Sequence, residues 1–573
     1  MSFLRHKITT APLFFLLILI FLNQGCQQQT SLSNQVKSPA TKVQSEFPKN
    51  STSASATEIQ EAKILAKNLE KPVAYYDVIV YGGTPAGLIA AIAAAREGAK
   101  VAIIEPSGHL GGMVTGGLSN SDIGNQAVIG GIANEFFQKI GNAYGSEISY
   151  NFEPHVAEEV FIEMINQAGV DVYLNHSLKE NGGVEKSGLA ILKIITTNAD
   201  IFTAKVFLDC SYEGDLMAQA GVSYTYGREA QTKYHETFAG VRPSISLHNF
   251  NFPVNAYTGD GALLPEISST TIAGLGQGDL KITAYNYRLC LTNDPANSIP
   301  LVAPKNYNPA RYQLLANWLT TLKKSENNRN LSISDVLWFS NLPNNKVDAN
   351  NSGPFSTDYI GGNWSFIQAD YQTREQIKIE HQEYIQGLLY FLGHDQQLAT
   401  ELISAFSKWG LAKDEFADNG NWPYQLYIRE GRRMLGDFIM TQDDLQEHTE
   451  KFDSIGMGSY PIDSHHTQRF VTNDGIVKNE GDLQVFILPY QMPFRIMLPR
   501  KSEVTNLIVP VCVSASHVAY SSIRMEPQYM ILGQAAGIAA KIAIDEKCIV
   551  QDINTEQLRI RLQKKDAVLA LAN

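Results

Sequence analysis

Cysteine is scarce and poorly spaced for chemistry: there are five, at positions 26, 210, 290, 512 and 548, with no CxxC pair. That gives neither a zinc signature nor a disulfide framework, and the last four read as buried small hydrophobes. Charge is thin as well. Charged residues make up 18% of the 573, the formal net charge is −12 and there is no sustained Lys/Arg stripe, which argues against nucleic acid as a partner. The apolar run from Ala11 to Leu22 is too short to cross a bilayer as a helix. What remains is 44% hydrophobic, a globular composition on a chain too long for one ordinary domain.

Arg5, His6 and Lys7 before that apolar run make residues 1–25 an export signal. The LNQG that precedes Cys26 resembles a bacterial lipoprotein box with Gly25 in place, so a lipid anchor at Cys26 and a cell-envelope location are expected, with plain cleavage as the alternative. Residues 26–72 are rich in Gln, Ser, Thr and Asn, too polar to bury a core, and read as a flexible tether. Within it, Glu58 to Lys71 reads either as a short surface helix or as more tether.

The densest signal is YDVIVYGGTPAGLIAAIAAAREGAKVAIIE, from Tyr76 to Glu105. A β-branched strand, a turn with Gly82, Gly83 and Gly87, an alanine-rich buried helix from about Pro85, a second strand and a terminal acid follow one another. That is the order of a dinucleotide site. The helix amides face a pyrophosphate, and Glu105, 23 residues after Gly82, accepts from a ribose diol. Thr84 stands where the middle glycine is usual; Gly83 supplies the freedom and the threonine hydroxyl can donate to phosphate.

Beyond Glu105, HLGGMVTGGLSNSD is a glycine-rich loop that a cofactor can pass closely. VAEEVFIEMINQAG is helical in period and VDVYLN a strand. ILKIITTNADIFTAKVFLD reads as a hairpin or meander ending at Asp209, and Asp215 begins a new helix. From about Thr237 to Leu498 the composition shifts to Tyr, Asn, Pro and Trp, marking a second domain. KITAYNYRLCLT is strand-like there, and REQIKIEHQEYIQGLLYFLG and QQLATELISAFSKWG are amphipathic helices. GLGQGD, with no helix after it, is a turn. The segment from Asn506 returns to a buried strand and an alanine-rich helix, so the expected architecture is α/β: a Rossmann-like nucleotide domain built from both ends of the chain (73–236 and 499–548), an inserted α+β substrate or cap domain (237–498) and a tail (549–573).

Several strings together resemble the FAD-dependent oxidoreductases of the two-dinucleotide-binding type, in a subgroup often labelled xanthan lyase: YGGTPAG, EPSGHLGGMVTGGL, FEPHVAEEVF, DCSYEGDLMAQAGVSYTYGRE, AYNYRLCLT, DEFADNGNWPYQLYIREGRRMLGDFIMTQDD, SIGMGSYPIDSHHTQR and SASHVAYSSIRMEPQYMILGQAAG. The resemblance implies FAD, with Gly82, Gly83, Thr84, Pro85, Ala86 and Gly87 at the pyrophosphate, Glu105 at the adenosine ribose, and Gly111 and Gly112 along the cofactor. It further implies a cofactor contact at Asp215, and a C-terminal helix beginning near Gly533 and Gln534 whose N-terminus faces the flavin pyrimidine ring, where amides stabilise the charge left by hydride arrival. Glu526 is read as the acceptor for ribityl hydroxyls or as a buried partner of Arg524.

For the proton, His517 and His465 are the candidate bases. Asp463, His465 and His466 in DSHHTQR read as a base with its carboxylate, as a hydrogen-bonded turn or as a metal site, though D-x-H-H matches no strong metal template. Arg429 and Arg433, taken as four apart on a helix, with Arg288 and His466, are candidates for holding a substrate; the bland alternative for the arginines is pairing with Asp414, Glu415 and Asp437. The leading expectation is an exported, membrane-tethered FAD oxidoreductase that takes hydride from an alcohol or sugar-like carbon and delivers electrons to an acceptor other than a nicotinamide, since no second strand–glycine–helix unit is present. The alternatives are a lyase acting on uronic acids through His465, Tyr460 and Arg433, and a flavin-containing binding lipoprotein. There is no twin-arginine pair before the apolar run, so either FAD loads after export through the general pathway or the segment is not an export signal.

Overall fold

A computed structural model describes residues 74–447 and 449–571. The signal segment, Cys26, the tether and the short helix expected at Glu58–Lys71 lie outside the described residues.

The first sheet is built as the strand–turn–helix reading requires. β1 (Ala74–Tyr81) pairs parallel with β2 (Val101–Ile104), Val78 opposite Val101, and α1 (Pro85–Arg96) connects them. Ten of the twelve α1 residues are buried, which is why the helix is written in Ala, Ile and Leu with almost no polar face. α2 (Pro154–Ala168) leads to β3 (Asp171–Tyr173), parallel to β2. On the other side of β1 lies β6 (Ile201–Asp209), parallel in register from Ala74 opposite Phe202 to Tyr81 opposite Asp209. The edge is an antiparallel meander of β4 (Val184–Ser187) and β5 (Ala190–Ile195), the order being β3-β2-β1-β6-β5-β4. A short helix, α3 (Asp215–Gln219), follows β6.

The second half of this domain comes from the far end of the chain. Strand β12 (Leu507–Ile508) adds parallel to β6, and the buried helix α6 (Glu526–Glu546) crosses α1. The crossing runs through small residues: a Cβ on Gly533 would collide with the Ala86 carbonyl, and one on Gly537 with that of Ala90. Gly533 therefore does not start the helix. α6 begins two turns earlier at Glu526, where Met525 is extended and Pro527 sits in the first turn, a position proline tolerates because its amide would be unpaired anyway.

Between these parts lies a second, five-stranded sheet in the order β9-β10-β7-β11-β8: β7 (Leu289–Thr292), β8 (Ser298–Pro300), β9 (Leu337–Leu342), β10 (Lys346–Asn351) and β11 (Gly410–Ala412). Only the last four residues of KITAYNYRLCLT are sheet; the rest is extended chain held by single bridges such as Asn286 to Tyr427. α4 (Tyr371–His394) covers the expected long helix, capped by Asp370 accepting from Thr373 N–H, whereas the next, α5, is confined to Thr400–Phe406. GLGQGD is a turn, as expected, and its Gly276 has φ +76°.

REGRRM is not helical. Tyr427 N–H bonds to Asn286 O and Met434 N–H to Cys512 O, and Arg433–Met434 pairs as a strand with Tyr224–Thr225. The segment is pulled straight by neighbours on both sides, so the four-residue spacing of Arg429 and Arg433 has no helical meaning.

Candidate active site

The turn between β1 and α1 is drawn as tightly as chain geometry permits. A Cβ on Gly87 would strike the Gly82 carbonyl, so only glycine lets the helix start this close to the strand end. Thr84 caps the helix: its hydroxyl accepts from Gly87 N–H at 3.2 Å and donates to Cys210 O at 2.7 Å. It is occupied, and does not serve as the spare phosphate donor expected of it. Pro85 and Ala86 form the first turn behind it.

Glu105 ends β2 facing this turn. Its two oxygens accept from Gly83 N–H at 2.6 Å and Ser107 N–H at 2.7 Å, and burial pushes its carboxyl up despite those donors. Gly82, Thr84, Glu105, Ser107 and Gly112 are among the walls of a cavity of about 340 Å³, which Tyr371 and Arg374 of α4 also line.

Asp215 lies beside it, but not as a free ligand. Its carboxylate takes both arms of Arg374, at 2.6 and 3.0 Å, and Arg432 at 2.7 Å. Burial opposes its charge, yet the two guanidiniums hold its carboxyl below the usual range. Asp215 thus fastens α4 and the 429–434 segment to α3, and its acidity serves that junction.

The Gly111–Gly112 turn is joined to the start of α6 through one phenol. Tyr212 accepts from Met113 N–H at 2.9 Å and donates to Glu526 Oε1 at 2.6 Å. Glu526 is therefore not the partner of Arg524, which binds Asp463 instead at 3.2 Å. Its other oxygen, Oε2, is buried without a partner, and burial pushes its carboxyl up to about 8. Gln534 accepts from Ile132 N–H at 2.8 Å and Gly533 lies in the α1 crossing, so neither is at a helix end.

The histidines separate sharply. His517 is 1% exposed; its Nδ1 meets Glu430 at 2.9 Å, its Nε2 meets the Ser464 hydroxyl at 3.4 Å, and its backbone N–H donates to Glu229. Burial, with Arg242 and Arg433 next in effect, holds its pKa well below the ordinary value. His466 donates from Nε2 to His248 O, and burial takes its pKa down to about 3. His465 keeps access: its side chain is 15% exposed, its Nδ1 lies 2.7 Å from Asp358, and its Nε2 is 3.9 Å from Asp463. Burial opposes the charge on Asp358, but Arg429 and His465 outweigh it and keep the carboxyl ionised.

None of the arginines is available as read from sequence. Arg288 binds Asp348, Arg429 binds Asp358, and Arg433 binds Glu229 and Glu430. Asp414 and Glu415, expected to neutralise them, sit instead on the Lys346 ammonium, each 2.8 Å away. The residues that contact the candidates and were not singled out, Asp122, Asp358 and Glu430, lie in loops or irregular chain without periodicity. Only Asp122, closing the glycine-rich loop, carried a usable signal.

A glycine turn on a parallel sheet, a buried acid just past the second strand and a second helix closing from the chain's far end define a nucleotide-binding α/β fold. The model of the FAD dependent oxidoreductase family matches residues 77–562, so the chain belongs to that family and its cofactor is FAD. The residues present fit that group: the cavity meets the glycine turn and Glu105, and Glu526 offers a buried oxygen with nothing bound to it.

No curated protein matches the chain. Among solved structures, the chain is similar to a geranylgeranyl bacteriochlorophyll reductase-like protein of Thermoplasma acidophilum (13% identity, 86% of this chain, 83% of that one, TM-score 0.33). It is also similar to THI4 of Thermovibrio ammonificans (20%, 27% of this chain, 66% of that one, 0.22) and to the OxyS anhydrotetracycline hydroxylase of Streptomyces rimosus (14%, 31% and 41%, 0.22). The chain thus spans less than two thirds of the length of the last two.

Proposed function

We propose that this protein oxidises a hydroxyl-bearing carbon of an alcohol or sugar-like substrate, and that His465 is the base. The observation that carries the reading is the 2.7 Å contact of His465 Nδ1 with Asp358. A carboxylate at Nδ1 fixes the proton there and leaves Nε2 as the acceptor, ready to take a hydroxyl proton. Asp358 in turn is held ionised by Arg429, so the imidazolium that forms has a counter-charge. His517 also has a carboxylate at Nδ1, that of Glu430, but its Nε2 meets the Ser464 hydroxyl and the ring is closed in by protein.

Bound FAD supplies the acceptor for the hydride. The chain's own part is to hold it: Gly82, Gly83 and Gly87 at the pyrophosphate, Glu105 at the ribose, and the free oxygen of Glu526 at the ribityl chain. Electrons then leave to an acceptor other than a nicotinamide. Elimination from a uronic acid needs an arginine for the substrate carboxylate, and Arg433 is already wrapped by Glu229 and Glu430.

The test is anaerobic mixing of the FAD-loaded protein with alcohols, polyols, sugars and uronic acids while the flavin absorbance is followed. Bleaching by a hydroxyl donor is expected, and His465→Asn should slow it by about 10²- to 10⁴-fold with FAD still bound. If no donor bleaches the flavin, the protein is a flavin-containing binding protein. We also infer export and a lipid anchor at Cys26; fatty-acid labelling lost in Cys26→Ser is the expected result.

A further inference from the structure

The inserted domain supplies part of the wall of the cofactor cavity, and it does so with one stripe of one helix. Tyr371, Arg374, Glu375 and Lys378 of α4 line the same cavity as Gly82 and Glu105. Their spacings of three and four residues put them on one helix face. Two of the four are fastened. The Tyr371 hydroxyl donates to Leu178 O at 2.8 Å, and Arg374 gives both arms to Asp215 and further donors to the carbonyls of Phe366 and Ile367. The other two are held only loosely, Lys378 Nζ standing 3.7 Å from Glu375, beyond hydrogen-bond reach.

The charges around the stripe show what it lacks. Glu213, also on the wall, lies in the field of Glu105 and in that of Arg374 and Lys378, and so connects the glycine turn electrostatically to α4. Desolvation pushes the carboxyls of Glu105 and Glu213 up, so an anion brought between them needs a counter-charge of its own. The diphosphate of FAD is dianionic, and the α1 N-terminus offsets only about half a charge. Of the wall's cationic side chains, His109 is engaged by Glu158 at 3.3 Å and Arg374 by Asp215. Among the described residues of this wall, Lys378 is the cation left without a hydrogen-bonded carboxylate.

We propose that Lys378 is the counter-charge for the diphosphate of FAD, so that the cofactor is held by the inserted domain as well as by the nucleotide domain. Its ammonium, a compact charge on a flexible stem, gives up the distant Glu375 for phosphate oxygens, and Glu375 competes with them. The claim concerns the cofactor alone and is independent of the substrate and of the base at His465.

Calorimetric titration of the FAD-depleted full-length protein with FAD, and with ADP, which carries the same diphosphate, tests it at low and high salt. Lys378→Met should weaken both ligands about tenfold and flatten the salt dependence of the FAD Kd, and Lys378→Glu should weaken both about a hundredfold. Glu375→Gln should tighten FAD. The side chains of Lys378 and Glu375 are 39% and 60% exposed, so the Tm of the FAD-depleted protein should be the same in all three variants. Affinities for FAD and ADP unchanged in both lysine variants overturn the proposal. So does a loss in Glu375→Gln equal to that in Lys378→Met, which would assign the effect to the packing of α4 and not to charge.

Discussion

Glu526 and His466 set opposite limits on the pH range in which this interior is stable. Glu526 is held to about 8, above its ordinary 4.5, so the stability its neutral form provides is complete below that lower value and is lost as pH rises through 8. His466 is held to about 3, below its ordinary 6.5, so the neutral ring contributes stability above 6.5 that disappears as pH falls toward 3. In the apoprotein, Tm should therefore decline on both sides, and Glu526→Gln should flatten the alkaline side between about pH 5 and 8 without altering the acid side. Calorimetric scans across pH check this. Lys346 offers a sharper residue test, since its ammonium has no exposed surface and touches Glu153, Asp414 and Glu415. Lys346→Met leaves buried carboxylates unpaired and should cost about 3–5 kcal/mol in denaturant unfolding.

At the level of elements, the glycine turn was legible because each cue is local: strand period, turn residues, an all-apolar helix and a terminal acid occupy thirty consecutive residues. The 429–434 segment was not legible in the same way. Arginines four apart suit a helix or an extended chain equally, and the choice was made by hydrogen bonds to the carbonyls of Asn286 and Cys512, which are remote in sequence. The start of α6 was misplaced by seven residues for a related reason: Gly533 marks a place where two helices touch, and contact glycines look like terminal ones until the partner is known. Asp358, which turns His465 into a candidate base, sits in a Gly/Ser/Asp loop with no pattern to flag it. The junction of α3, α4 and the arginine segment yields a test: Asp215→Asn strips two guanidiniums of their shared carboxylate and should lower unfolding free energy by about 3 kcal/mol. Gly537→Val, driven against the Ala90 carbonyl, should prevent recovery of folded, yellow protein, as read by flavin absorbance after purification.

For the whole molecule, the nucleotide domain takes strands from both ends of the chain and the inserted sheet lies between them in sequence, so the fold that holds FAD is completed only when both ends are in place. FAD should accordingly protect the entire unit. At a free concentration 100 times its Kd, a gain of about 2.7 kcal/mol is expected, visible as a concentration-dependent rise of Tm. A Tm unchanged by FAD would place the nucleotide outside the cooperative unit.

The helix crossing at Gly533 also fixes an order of events during synthesis. α1, with ten buried residues, leaves the ribosome more than 400 residues before the helix that covers it. At about 5–20 residues per second that is an interval of roughly 20 to 90 s in which one of the most apolar surfaces of the chain has no native cover. A helix made early is thus covered late, and during that interval the nascent chain depends on a chaperone or on delayed collapse to stay out of aggregates.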